Sequence, residues 1–139
     1  MRLGLLFICL ASPVAAWDFS PSPICTLSHS TDTTGLTVTY DGAATEPYSI
    51  EITGPGIAPA PVFGIRFSGG AGLTIQTTRH VVKGNSVRVS DRGFGNVLNG
   101  IEYSDTATAL LGDAEIPFAL DGADAPMQAF RACIASPVA

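Results

Sequence analysis

Apolar and polar residues alternate with a period of two along most of this chain, and no other feature restricts its fold as strongly. Leu36, Val38 and Tyr40 interleave with Thr37 and Thr39; Tyr48, Ile50 and Ile52 interleave with Ser49, Glu51 and Thr53. Successive side chains of an extended backbone point to opposite faces, so each run offers one face to a core and the other to water. The pattern recurs at Phe63, Ile65 and Phe67, at Leu73 and Ile75, at Val87 and Val89, and at Ile116, Phe118 and Leu120. Pro117 lacks the N–H a ladder needs, which places that last strand at an edge or a bulge. Segments that reverse a chain easily fall between the runs: Thr31 to Gly35, Asp41-Gly42, Ser68 to Gly72 and Lys83-Gly84-Asn85. The expected fold is mainly β, an antiparallel β-sandwich or barrel.

Two segments break the period. Phe94, Val97, Leu98 and Ile101 share a helical face, so a short internal helix is expected there, weakened by Gly100. Met127, Phe130, Cys133 and Ile134 recur at helical spacing behind Pro126, with Asp121 or Asp124 as the cap, and predict a C-terminal helix. Gly93 and Gly95 flank Phe94, and this implies a tight path with a positive dihedral or a close backbone approach. Phe94 then serves as a core plug or belongs to a ligand-contacting loop.

The first sixteen residues read differently. Met1-Arg2 is a short basic start, Leu3 to Leu10 is apolar, and Pro13-Val14-Ala15-Ala16 supplies a breaker and small residues at a cleavable site. This is the pattern of a secretory signal peptide over 1–16, followed by a single domain over 17–139. The apolar run falls well short of the ~20 residues a spanning helix needs, so no membrane span is expected. Ile8 before Cys9 argues against lipid attachment. Removing the leader leaves Cys25 and Cys133, which an oxidising compartment would join; the expected location is periplasmic or secreted. The closed loop spans 108 positions. For such a loop the chain-entropy account gives at most about 4–5 kcal/mol, comparable to the whole stability of a small domain.

The leader, Trp17-Asp18-Phe19, the early cysteine, the alternating strands and the closing Ile116 to Gly122 and Ala129 to Cys133 resemble small secreted proteins of alphaproteobacteria. The closing segment is similar to the end of the invasion-associated locus B family. That resemblance implies a small periplasmic or secreted β protein; it supplies no catalytic residue.

The charge balance excludes one class of partner. Seven basic residues against twelve acidic ones, net charge −5, cannot build the surface that nucleic acid requires. Neither a Gly-x-Ser-x-Gly elbow nor a phosphate loop is present, and no Cys-x-x-Cys occurs. His29 and His80 are the only histidines, and neither has a carboxylate or cysteine at metal-ligand spacing, so no metal and no cofactor is expected.

The densest polar cluster comprises Arg79, His80, Lys83, Arg88, Asp91, Arg92 and Asn96. Arg79, His80, Arg92 and Asn96 are the candidate ligand-binding residues, suited to an anionic ligand or an envelope protein. The simpler reading of the same side chains is solvated strand faces held in ion pairs with Asp91, Glu102 and Asp105. The function expected is a non-enzymatic binding or interaction module of the cell envelope. Two alternatives stand beside it: a small periplasmic hydrolase using His80 and Asp91 with a serine such as Ser90, and a disulfide-stapled enzyme inhibitor whose loop from Gly54 to Pro61 protrudes.

Overall fold

A computed structural model describes residues 17–70 and 72–136. The leader expected over 1–16, with Cys9, lies outside the described residues. Ten strands and two helices follow in the order β1 (Trp17–Ser20), β2 (Cys25–Ser30), β3 (Gly35–Tyr40), β4 (Tyr48–Thr53), β5 (Phe63–Ser68), β6 (Leu73–Thr77), β7 (Val81–Lys83), β8 (Ser86–Asp91), α1 (Gly95–Tyr103), β9 (Thr106–Leu111), β10 (Ala114–Ala119) and α2 (Asp124–Ala135). They form two antiparallel sheets, one ordered β1-β2-β3-β4-β8-β7 and the other β10-β9-β5-β6. The expected β-sandwich with a short internal helix and a C-terminal helix is the observed fold.

Register explains why alternation was so informative. In the larger sheet Leu27 pairs with Val38, Val38 with Ile50, and Ile50 with Val89, so one continuous apolar row crosses four strands on the core side. In the smaller sheet Phe67 lies opposite Ala107, which lies opposite Phe118. Large, small and large side chains thereby interdigitate instead of colliding. Pro117 sits in β10 at an edge of its sheet, where a missing N–H costs no ladder bond.

The helices finish the core. Met127 and Phe130 of α2 are fully buried against β1 and β2, each contributing about 1.5–3 kcal/mol of apolar burial. The cap of α2 is Ala123, with no side-chain cap bond, and Asp124 occupies the first turn instead of capping it. Cys133 at the end of this helix meets Cys25 with their Cα atoms 6.0 Å apart, within disulfide reach. The partner strand is β2, since β1 precedes it. Gly100 does not weaken α1 by accident: a Cβ there would lie 2.5 Å from the Phe67 ring, which is itself buried, so only glycine lets helix and sheet approach this closely.

Gly93 and Gly95 correct an expectation. Neither has a positive φ, and no atom crowds either one. The bend between β8 and α1 is made by ordinary backbone, with Phe94 buried as its plug. The segment after β4 is corrected as well. Gly54 donates its N–H to Asn85 at 3.0 Å, and Ile57 is part of the core. The loop from Gly54 to Pro61 is thus pinned at its first half instead of protruding as a whole.

Candidate functional site

The two sheets do not close on each other along the side where β6 and β8 run. Between them lies a cleft of about 510 Å³, inside the range of small-ligand and peptide pockets. Ile50 and Val89 from the larger sheet and Phe63, Ile65 and Ile75 from the smaller one form its walls, and Phe94 and Val97 close one end. These side chains come to the cleft because the period-two pattern aims them inward; all are buried except Ile75, which is partly exposed. Gly64 also lines it; a Cβ there would press against the Ile75 carbonyl oxygen at 3.0 Å.

The rim is polar. Gln76, Thr77, Arg79, Asp91 and Asn96 surround the opening. Arg79 donates to the Glu46 carboxylate and lies 3.8 Å from Asp91. Asp91 also accepts the backbone N–H of Arg92 at 2.6 Å. Behind Phe94 stands Tyr48, ring centroids 5.5 Å apart, and Tyr40 packs edge-on to Tyr48 at 5.0 Å. Burial raises the Tyr48 hydroxyl above its ordinary range, with the neighbouring Tyr40 adding to the shift and Arg131 opposing it.

The polar cluster expected from the sequence is divided by the fold. Arg79, Asp91 and Asn96 share the cleft rim, and Arg92 joins Arg79 and Asp91 in an adjoining depression with Thr45 and Glu46. Lys83 and Arg88 stand elsewhere, beside Glu51 and Val81. The positive charge of Arg79 is met by two carboxylates, Glu46 and Asp91.

His80 and Asp91 are not brought together. The His80 Nε2 lies 2.7 Å from the Ala60 carbonyl oxygen, and its ring packs near Phe63. Among the described residues no hydrogen bond or ion pair links His80 to Asp91, and His80 does not line the cleft. The hydrolytic constellation requires a base in reach of both its orienting carboxylate and its nucleophile; here each group is held by another partner. Among the described residues no cluster of metal-ligating side chains occurs, and no helix is long and apolar enough to cross a membrane.

Sequence reasoning missed the cleft itself. Its walls read as ordinary core positions, because periodicity tells which face is apolar and says nothing of whether a second sheet covers that face. Comparison with family models, with curated proteins and with solved structures finds no match for the chain. The site therefore defines only a class: a two-sheet β-sandwich with an apolar cleft between its sheets and a charge-compensated rim.

Proposed function

We propose that the protein is a secreted, non-enzymatic binding module of the cell envelope and that its ligand enters the cleft between the sheets. The observation that carries this reading is the pairing of an apolar interior with a rim whose one arginine is already neutralised. Such a surface gains by covering apolar area and discriminates against ligands that would bring an uncompensated charge into it. The anionic ligand suggested by composition is accordingly replaced by a largely neutral, apolar one. The leader pattern over 1–16 and the Cys25–Cys133 pair support export to an oxidising compartment.

Two measurements test this. Titration with the neutral dye Nile red is expected to give saturable fluorescence that Ile75→Trp, by filling the cleft, weakens by about tenfold or more. The Arg79→Glu, Arg92→Glu double variant is expected to retain dye binding. No saturable binding, or equal binding by the Ile75 variant, overturns the cleft as the site. Intact-mass measurement of material from the native host is expected to show a chain starting at Trp17 with no free thiol, and an attached leader overturns the export reading.

A further inference from the structure

We infer that the cleft takes an extended polypeptide segment, which adds as a new strand along the open edge of β6 and sends alternate side chains inward. This rests on the reading of the cleft as the binding site and names the class of ligand. The four sheet edges are not equivalent. The edge at β10 carries Pro117 and Glu115, and the edge at β7 is three residues long and ends in Lys83. The edge at β1 is covered by α2 and tied to the other sheet by the Trp17 indole, which donates to the Ala119 carbonyl at 2.9 Å. Proline, charge, brevity and a covering helix are the devices by which proteins protect exposed strand edges.

The fourth edge has neither proline nor charge and is longer than β7, and α1 meets it. β6 reads Leu-Thr-Ile-Gln-Thr, uncharged and without proline, and it pairs only with β5. One side of its backbone thus presents amides and carbonyls with no ladder partner among the described residues. Its register adds the second half of the argument. Leu73, Ile75 and Thr77 lie opposite Phe67, Ile65 and Phe63, so all three belong to the core-facing row. Their β5 partners are fully buried, yet Leu73 is 37% exposed and Ile75 and Thr77 only partly covered. The core is unfinished along this one line.

A strand laid beside β6 completes both features together. Its backbone satisfies the open ladder, and its inward side chains cover Leu73 and Ile75 and enter the cleft, which is the strand-addition mode of peptide recognition. Charge sets the chemistry of the segment. Arg79 already meets Glu46 and Asp91, so inward positions must be neutral and apolar, with polar residues tolerated on the outward row beside Thr74 and Gln76. A second copy fits less well: pairing two β6 strands antiparallel about Ile75 would set each Leu73 against a Thr77 hydroxyl instead of an apolar side chain.

The probe is a short blocked peptide of alternating valine and threonine with a lysine at each end, studied by amide NMR on the full folded domain. Saturable shifts are expected across Leu73 to Thr77, with exchange of alternate β6 amides slowed about tenfold or more at saturation. N-methylation of one alternate set of peptide amides is expected to abolish binding, while methylation of the other set leaves it within about threefold, because only one row of a strand faces its neighbour. Equal binding by both methylated peptides, or no shifts in β6, overturns the inference. The dye titration separates the two levels: dye bound and lost in Ile75→Trp without peptide binding leaves the cleft reading standing and removes the strand inference, and failure of both removes both. Sedimentation as a dimer with β6 amides already protected would make the occupant a second copy and likewise overturn the proposal.

Discussion

His29 is a polar ring set where apolar side chains belong. It is 5% exposed, 5.0 Å from the Trp17 ring and edge-on to Phe118 at 6.1 Å, and its buried Nδ1 has no hydrogen-bond partner. Burial disfavours the charged form, so its pKa lies below the ordinary 6.5. The folded chain then resists a proton that the unfolded chain accepts. Above about pH 6.5 both forms are neutral and stability is undiminished; as pH falls from there towards the depressed folded value, stability is lost, and below that value this group removes no more. Thermal midpoints are expected to fall between about pH 7 and pH 5, and His29→Phe is expected to flatten that segment of the curve. A histidine alternating with Leu27 was legible as an inward position only once Cys25 to Ser30 was known to be a strand. With Ser28 and Ser30 beside it, the run is too polar for period-two reading to detect.

At the scale of elements, the two helices are clasped to each other by one polar knot. Glu102 of α1 has a side chain only 6% exposed, and it accepts from Arg131 Nη2 at 3.2 Å and from Gln128 Nε2; Arg131 also donates to Asn99 at 3.0 Å. Removing the guanidinium leaves a buried carboxylate with its charge uncompensated. Arg131→Met is expected to cost about 2–3 kcal/mol in urea unfolding, and Glu102→Gln combined with it is expected to recover part of that loss, giving a non-zero coupling in a double-mutant cycle. The helices themselves were foreseeable from three- and four-residue spacing, because a helix needs only a stripe. Their clasp was not, since nothing in a sequence says that positions 102 and 131 meet. Strand β9 escaped detection for another reason: Thr106 to Ala109 alternates threonine with alanine, and alanine carries too little apolar area to mark a face. It is central to its sheet all the same, because its small side chains are what admit Phe67 and Phe118.

For the molecule as a whole, one covalent closure joins β2 to the end of α2 across 108 positions. The Cys25→Ser, Cys133→Ser double variant is expected to lose up to about 4–5 kcal/mol, read as a lower urea midpoint that reductant no longer changes. The bridge was the most legible long-range contact, since Cys25 and Cys133 are the two cysteines outside the apolar first sixteen residues and have a single way to pair. The cleft was the least legible, because it depends on where two sheets diverge. These features also occupy opposite flanks. β1 and β10, with α2 and the disulfide beside them, are the edge strands of one flank, whereas β6 and β7 are those of the other. A pull applied through Trp17 and Ala135 would consequently pass through the bridge and load that flank first, leaving the opposite opening slack.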